Sequence, residues 1–444
     1  MRIIFHFCKM RKIPENFCSE VSMDGLVDNI RQKLLRLPDP RNRSISLSFH
    51  DLVMSGFAMF NLKYPSMHRF ENQTESEREN LKHLYKVENL CSDAALKSNL
   101  DKIDPSSLRD LYAENLNLLK KTGVLKEYRT RDGYLIASVD GVQHFSSKKV
   151  HCEHCLCRQH KNGEVTYHHS MLCAALVNPF QREVFIIGSE PIVKQDGKQK
   201  NDCERNAAKR LFSWFSNNYK DEKFIFVEDA LYANGPHLKQ ILENQWEFIV
   251  NIKPGSHKKL FTLFETRKKM KSAKFYEFTD KVGTIHRFWY DNNLPLNGTV
   301  TDLRISVLMY EEEKKNGQVQ KFSWATSFNL TKRNVEKIMR IGRSRWKIEN
   351  ETFNTLKNQG YHFDHNYGHG YQHLSTFLAY LMLLGFQTDQ IFQRCNMLFN
   401  RIWKKAKTKA KLWEVLRSIF MIKIIYSFKE LFDTLAIQFR VQLE

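Results

Sequence analysis

Two aspartates stand where short apolar runs end, and each run predicts a β-strand. Asp140 follows Ala-Ser-Val, and Asp229 follows Phe-Val-Glu. A charged carboxylate at the end of an apolar strand is costly unless it holds a cation, and clustered carboxylate oxygens are the ligands that Mg²⁺ or Mn²⁺ accepts. Such a site supports metal-assisted phosphodiester cleavage. Glu349 or Glu351, on one predicted helix, can supply a third carboxylate. Aspartates are also common turn residues, so each alone indicates little.

The elements around these aspartates predict how they meet. Three strands are predicted first, at Tyr134–Val139, Val165–Val177 and Glu183–Gly188. They are followed by a helix at Asn201–Tyr219, a strand at Lys223–Val227, a helix at Gly235–Asn244 and a last strand at Trp246–Asn251. The first three strands can pair antiparallel through short turns, whereas the last two need helical crossovers and so lie parallel to the first. This order is typical of an α/β ribonuclease-H-like mixed sheet, and it places Asp140 beside Asp229.

The rest of the chain divides around this core. Helices are predicted at Val21–Leu37 (ended by Pro38 and Pro40), Ser46–Phe60, Ser106–Thr122 and from Lys332 or Asn334 to Asn358, the last capped by Asn329 or Thr331; β-like runs are predicted at Lys274–Phe278, Thr284–Tyr290, Leu303–Tyr310 and Lys321–Thr326. The predicted regions are a helical region (1–125), the first part of the core (126–258), a β-rich insertion (259–329), the rest of the core with a His-rich loop (330–374) and a basic helical region (375–444). Region 1–125 either recognises DNA ends or serves as a scaffold.

Charge favours a polyanionic partner. The chain has 69 Lys and Arg against 49 Asp and Glu, a net charge of +20. Neutralising phosphates releases counterions, which makes nucleic acid the first candidate partner and leaves a merely basic protein as the alternative. The segment Arg401–Lys411 is either a cationic face for DNA or a solvated surface.

No segment predicts export or a membrane span. The apolar start Met1–Lys9 is interrupted by charged residues and lacks a small-residue cleavage site. The longest apolar run, Phe377–Phe386, is too short to cross a bilayer. Nine cysteines, an odd number without a secretory signal, indicate reduced thiols. We therefore expect a cytoplasmic protein with no membrane partner.

Three sequence blocks resemble the DDE transposases of bacterial insertion sequences. They are Asp140-Gly141-Val142-Gln143-His144-Phe145, Glu228-Asp229-Ala230, and Gly342 to Glu351, continuing to Lys357. The third block contains Arg-Trp-x-Ile-Glu, which resembles the cut-and-paste group with a Tyr-Arg-Glu-Lys signature. The likeness covers roughly residues 134–374.

The resemblance implies roles for individual residues. Asp140, Asp229 and Glu349 match the three metal-binding acids of a Mg²⁺- or Mn²⁺-dependent endonuclease, and the Arg-Trp-x-Ile-Glu register favours Glu349 over Glu351. Arg345 matches the signature arginine and would hold a phosphate through its planar guanidinium. Two positions depart from the signature: its tyrosine falls on Gly342, and its lysine falls on Leu356, so Lys357 is one position, or about 100° of helix, out of register.

Further residues are candidate DNA contacts. Arg343 belongs to the third block, and Trp346 either stacks on an unpaired base or packs its helix onto the core. His365, between His362 and His369, is expected either to contact DNA phosphate or to reach the edge of the active site. Lys148 and Lys149 either hold backbone phosphates or form a solvated turn.

A Cys-x-x-Cys pair indicates half of a zinc site. Cys152 and Cys155 have the spacing, and Cys157 and His160 are the favoured completion, with His168 or His169 as alternatives. The competing interpretation is a reduced cysteine-rich turn. A zinc site within the loop of His362, His365 and His369 is disfavoured.

The sequence therefore predicts a DNA transposase that cuts element ends and transfers them into target DNA. Double-stranded DNA is the expected partner, with a homodimer assembled on it, in a bacterial, nucleoid-associated setting. The alternatives are a ribonuclease-H-like nuclease without strand transfer, an inactive DNA-binding relative, and a zinc-stabilised nucleic-acid-binding module around Cys152–Cys157.

Overall fold

The computed structural model describes residues 17–36, 39, 41, 47–193, 204–297, 300 and 302–442. The predicted features at Met1–Lys9, Leu37, Pro38, Pro40, Ser46 and the start of the helix at Asn201 lie outside the described residues. Among the described helices, none has the length and the apolar character needed to cross a membrane.

A single sheet organises the described part of the chain. Its ten strands are β1 (Leu135–Ser147), β2 (Leu156–Gln159), β3 (Val165–Val177), β4 (Phe185–Ile192), β5 (Phe224–Glu228), β6 (Glu247–Asn251), β7 (Lys274–Thr279), β8 (Ile285–Pro295), β9 (Arg304–Glu313) and β10 (Val319–Thr326). They lie in the order β2-β3-β1-β5-β6-β10-β9-β8-β7, with β4 also paired to β3.

The core half of the sheet confirms the ribonuclease-H-like prediction. β1 pairs antiparallel with β3, and β3 with β4, while β1, β5 and β6 run parallel to one another. The buried runs Leu176–Val177, Phe185–Ile187 and Phe224–Val227 explain this arrangement, because strands covered on both faces must be apolar throughout. The short strand β2, in the turn between β1 and β3, was not predicted. The predicted end of the first strand at Val139 is wrong: β1 continues to Ser147 because its pairing with β3 extends that far, so Asp140 lies within the strand and not at its end.

The β-rich insertion extends the same sheet. β7 to β10 form an antiparallel meander, and β10 pairs antiparallel with β6, so the insertion continues the core sheet edge to edge. The predicted β-like runs are confirmed as strands. The region also begins with a helix, Lys258–Lys269, that was not predicted.

The remaining elements are helices. They are α1 (Met23–Leu34), α2 (Phe49–Asn61), α3 (Met67–Glu71), α4 (Glu75–Asn80), α5 (Asp93–Leu100), α6 (Asp110–Lys121), α7 (Leu125–Tyr128), α8 (Glu204–Asn218), α9 (Gly235–Glu243), α10 (Lys258–Lys269), α11 (Val335–Arg343), α12 (Asn354–Asn358), α13 (Leu374–Cys395), α14 (Met397–Ala406), α15 (Lys409–Ile422) and α16 (Phe428–Gln438). Short 3₁₀ turns lie at Pro105–Leu108 and Ser344–Trp346, and π-helical turns at Leu81–Tyr85 and Ile348–Phe353.

The N-terminal and C-terminal helices pack on each other. α2 contacts α13, α1 contacts α16, and α4 contacts α15. At their centre the Lys63 ammonium pairs with the Asp389 carboxylate, both almost fully buried, and the Tyr361 hydroxyl donates a hydrogen bond to Asp389. A buried pair of this kind holds the two helical segments in one arrangement, because separating the partners leaves a charge without compensation.

The predicted long helix ending at Asn358 is interrupted. α11 begins at Val335 after Asn334, whose side chain accepts a hydrogen bond from the Thr331 backbone N–H, and neither Asn329 nor Thr331 is the cap. A 3₁₀ turn and then a π-helical turn separate α11 from α12. Such irregular turns are frequent at functional sites, and this one carries Arg345 and Glu349.

Candidate active site

Strand register places Asp140 beside Asp229. The parallel pairing of β1 and β5 joins Ser138 to Val227. Asp140 and Asp229 each lie two residues farther along, Asp229 just past the end of β5, and the Glu204 carboxylate interacts electrostatically with both of them. The Asp140 carboxylate accepts a hydrogen bond from the Gly141 backbone N–H at 2.9 Å, and Asp229 accepts one from the Leu231 backbone N–H at 2.8 Å. Both carboxylates are half-buried, which leaves them accessible to a ligand.

The interrupted helix brings a cation and a third acid to this edge. A guanidinium nitrogen of Arg345 lies 2.7 Å from a carboxylate oxygen of Glu349 and 3.5 Å from one of Asp140. The Ser138 hydroxyl donates a hydrogen bond to the Arg345 backbone carbonyl at 3.0 Å. The helix is therefore tied to β1 two residues before Asp140, and Arg345 bridges two of the predicted acids.

Burial changes the acidity of Asp140. Burial, together with the nearby carboxylates of Glu349 and Glu204, raises the pKa of Asp140 to about 7, although Arg345 acts in the opposite direction. Crowded carboxylates resist ionisation because like charges repel in a medium less polar than water. A carboxyl group with such a pKa at a sheet edge is typical of functional sites.

A fourth carboxylate, Glu204, was not predicted. It begins α8, accepts a hydrogen bond from the buried Tyr232 hydroxyl at 3.1 Å, and has a pKa raised by burial and by Asp229. A Cβ on Gly141 would lie 2.6 Å from a Glu204 carboxylate oxygen, so glycine is what allows this approach. In the sequence Glu204 is one charged residue of an amphipathic helix, and nothing there distinguishes it.

The departures from the signature have structural reasons. A Cβ on Gly342 would lie 2.7 Å from the indole nitrogen of Trp324, so this position has no room for a tyrosine. Leu356 is fully buried, whereas Lys357 is half-exposed and pairs with Asp364 at 3.3 Å. Glu351, the competitor of Glu349, pairs instead with Arg182 at 3.4 Å.

A groove runs beside the interrupted helix. Trp346, 42% exposed, and Phe180, 69% exposed, line it together with Arg340 and Arg343. Arg343 is also paired with Glu312 on β9. The structure therefore places two of the predicted DNA contacts, Arg343 and Trp346, in one groove, whose lining also includes the acidic side chains of Asp280 and Glu336.

The other predicted DNA contacts lie apart from this groove. Lys148 and Lys149 are exposed in the turn after β1, where Lys148 pairs with Glu164 at 2.8 Å. His365 is exposed in the loop after α12, edge-on to the Tyr367 ring.

The cysteine pair has partners other than the favoured ones. Cys152 and Cys155 converge with His169 of β3 and His369 of the loop after α12. Cys157 and His160 lie outside this group, and the His160 ring nitrogen is 2.6 Å from the Thr166 hydroxyl. The predicted completion of the site by Cys157 and His160 is corrected accordingly, and His169 was the alternative that the structure selects.

Comparison with known proteins identifies the family. A family model described as a transposase DDE domain matches residues 138–384, more than half of the chain and all three predicted acids. None of the curated proteins matches. Among solved structures, the cryo-EM structure of a piggyBac transposase synaptic complex with hairpin DNA is 10% identical, with 97% of this chain and 81% of that chain covered and a TM-score of 0.38. From the extent of the family match, the chain belongs to the transposase DDE domain family and is a DNA transposase.

Proposed function

We propose that this transposase cleaves DNA at the ends of its element and joins the freed 3′ ends to target DNA. Asp140, Asp229 and Glu349 would hold divalent cations, Mg²⁺ or Mn²⁺, at the sheet edge. The observation that carries the proposal is the in-register pair of aspartates together with a helix-borne glutamate that shares Arg345 with Asp140.

The donor set fits hard divalent cations. All of the donors are carboxylate oxygens, which Mg²⁺ and Mn²⁺ prefer. Burial, with the added effect of Glu349 and Glu204, raises the pKa of Asp140 to about 7, and a cation bound beside this carboxyl would favour its charged form. Ions bound there would activate a water or a 3′ hydroxyl and stabilise the leaving oxygen.

Arg345 has a second role in this proposal. Its guanidinium already bridges Asp140 and Glu349 and is only 17% exposed, so packing fixes its orientation. A planar guanidinium binds phosphate oxygens through two parallel hydrogen bonds. We propose that Arg345 orients the scissile phosphate against the three acids, and that Lys357 contacts the same strand farther along the helix.

The groove beside the helix is the proposed path of DNA. Arg343 would bind backbone phosphate there, and the exposed Trp346 ring would stack on an unpaired base. Lys148, Lys149 and His365 would contact flanking phosphates, and the helical region 1–125 would recognise the element ends. Because two ends must be cut and joined together, we propose a homodimer assembled on double-stranded DNA.

Cleavage of supercoiled plasmid carrying candidate element ends tests the site. We expect nicking that requires Mg²⁺ or Mn²⁺, is abolished by EDTA, and is lost in Asp229→Asn and Glu349→Gln. The matched control is Glu351→Gln, on the same helical turn but paired with Arg182, and it should keep activity. Equal loss in Glu349→Gln and Glu351→Gln, with DNA binding preserved in both, would refute the assignment of Glu349.

Strand transfer needs its own assay. Pre-cleaved ends with a free 3′ hydroxyl are incubated with a target plasmid, and joined products are expected for the wild type. Cleavage without joining would favour the nuclease alternative. DNA binding without cleavage in either metal would favour the inactive relative.

A further inference from the structure

We infer that Cys152, Cys155, His169 and His369 form a zinc site separate from the catalytic acids. The four side chains come from the turn after β1, from β3 and from the loop after α12, and their ligand atoms all lie within 4.8 Å of one another. The inference does not depend on the proposed function, because it concerns a different cluster and a different metal.

The distances between the ligand atoms match a zinc tetrahedron. Bond lengths of about 2.3 Å to sulfur and 2.0–2.1 Å to nitrogen give edges of about 3.8 Å (S to S), 3.6 Å (S to N) and 3.3 Å (N to N). In the structure the two sulfurs are 3.9 Å apart and the two Nε2 atoms 3.2 Å apart. Three of the four sulfur-to-nitrogen distances are 3.5, 3.3 and 3.2 Å. Each of these five edges lies within about 0.4 Å of the value for zinc, and the sixth, from the Cys152 sulfur to the His369 nitrogen, is no longer than 4.8 Å.

Hydrogen bonding fixes the orientation of His369. Its Nδ1 lies 2.7 Å from the Gly370 carbonyl oxygen, which can only accept, so Nδ1 carries the proton, and zinc would bind the lone pair that Nε2 of the neutral ring presents to the cluster. A zinc-bound histidine is characteristically oriented by such a bond from its other nitrogen. The Nε2 atom of His169 faces that lone pair at 3.2 Å, and a cation between the two nitrogens explains the approach.

Burial indicates a structural rather than a catalytic site. Cys155 is fully buried, His169 is 4% exposed and His369 is 8% exposed. Four protein ligands in a closed setting leave no position for water or substrate, which is typical of structural zinc. Two cysteines and two histidines also form the soft and borderline donor set that zinc prefers over Mg²⁺.

The site would connect the two halves of the active site. His169 is paired with Phe145 in the β1–β3 ladder, five residues beyond Asp140. His369 lies in the loop that follows the helix of Glu349, and this loop is anchored because Asp101 accepts hydrogen bonds from the backbone N–H groups of residues 371–374. Zinc would therefore hold the loop against the strand that carries Asp140.

Metal content of the purified full-length chain tests the inference. We expect about one equivalent of zinc in the wild type, and loss of most of it in Cys155→Ser and His369→Gln. Cys157→Ser and His160→Gln are matched controls, since both residues neighbour the cluster without joining it, and they should keep the metal. Zinc retained in Cys155→Ser and His369→Gln, or lost equally in the controls, would overturn the site.

A measurement on the unaltered chain covers the case in which variants fail to fold. Zinc is removed with a chelator and replaced by Co²⁺, and we expect the strong visible absorption of tetrahedral cobalt with thiolate charge-transfer bands. Re-addition of zinc should abolish these bands and raise the unfolding midpoint. Absence of both signals in protein that is reduced and folded by circular dichroism would refute the inference. A Cys152–Cys155 disulfide, detected by mass, would likewise refute it. None of these readouts involves DNA cleavage, so this inference and the proposed function fail independently.

Discussion

Replacing Gly342 by alanine should lower the stability of the chain, whereas the same replacement at most helical glycines raises it. Exchanging an exposed helical glycine for alanine usually stabilises by about 0.8–1 kcal/mol. At Gly342 the new Cβ would lie 2.7 Å from the indole nitrogen and 2.8 Å from Cε2 of Trp324, well inside the contact distance of about 3.5–4.0 Å. Trp324 is 1% exposed and lies parallel to the Phe322 ring at 5.7 Å, so it has little room to withdraw.

We therefore expect Gly342→Ala to destabilise the chain. Overpacking costs about 1–3 kcal/mol, which offsets or exceeds the helical gain and leaves a net loss of up to about 2 kcal/mol. Gly342→Tyr, which restores the signature tyrosine, should lose far more and abolish folding. The measurement is the denaturant midpoint, followed by tryptophan fluorescence and circular dichroism.

Gly385 supplies the matched control. It lies within α13, and a Cβ there would meet its nearest neighbour, the Asn61 backbone nitrogen, at 3.5 Å, an ordinary contact. Gly385→Ala should therefore stabilise by about 0.5–1 kcal/mol. If Gly342→Ala proves as stabilising as Gly385→Ala, the close packing of Trp324 on α11 is refuted.

Three further predictions concern ionisable groups. Burial and neighbouring acids raise the pKa of Asp140 to about 7. Protons therefore compete with the metal for Asp140, so at subsaturating metal the cleavage rate should fall about tenfold per pH unit below this value, and a flat rate profile there would contradict the site. Because the pKa of Asp140 is higher in the folded chain than in the unfolded chain, the folded chain loses stability as pH rises from the lower value to the higher one. Asp140→Asn should therefore be more stable than the wild type above about pH 7 but not near about pH 4. Gly141→Ala should displace the flexible Glu204 carboxylate, lower the pKa of Asp140 and so move the acid limb of the rate profile to lower pH. Glu204→Gln should move this limb in the same direction. An acid limb that is unchanged in both variants would exclude an effect of Glu204 on the pKa of Asp140. Asp389→Asn should destabilise the chain by about 3–5 kcal/mol because Lys63 stays buried without its partner. Exchanging both Lys63 and Asp389 for apolar residues should recover most of this loss, measured as the denaturant midpoint. A double variant that recovers no stability would argue against the buried pair.

Several core strands can be predicted from the sequence because buried strands consist mainly of apolar residues. β3 coincides with the predicted Val165–Val177, and β5 with Lys223–Val227 to within a residue at each end. β5 is an apolar run, and β3 ends in one, Met171–Val177, after a more polar and more exposed first half. By contrast α10 contains a Lys-Lys start and an Arg-Lys-Lys end, and only Leu260 and Phe264 are buried, so its apolar pattern is too sparse to identify a helix.

Local sequence patterns do not predict contacts between segments that are far apart in the chain. Cys155 and His369 are separated by 214 positions, and spacing rules describe only the near half of a metal site. Glu204 approaches Asp140 through Gly141, a contact that depends on how α8 packs on the sheet. The helix ending at Asn358 is predicted as continuous because its apolar periodicity persists through the 3₁₀ and π-helical turns. The side-chain types do not encode the hydrogen-bond pattern of these turns.

The burial of α2 has a consequence for synthesis on the ribosome. All of its residues except His50 are buried, and one of the helices that covers it, α13, is translated more than 300 residues later. At about 5–20 residues per second, an apolar helix waits for tens of seconds without this partner. The face of α2 that packs on α13 therefore stays uncovered until the C-terminal helices emerge, and exposed apolar surface of this kind favours aggregation. A chain that ends before α13 would keep this surface uncovered.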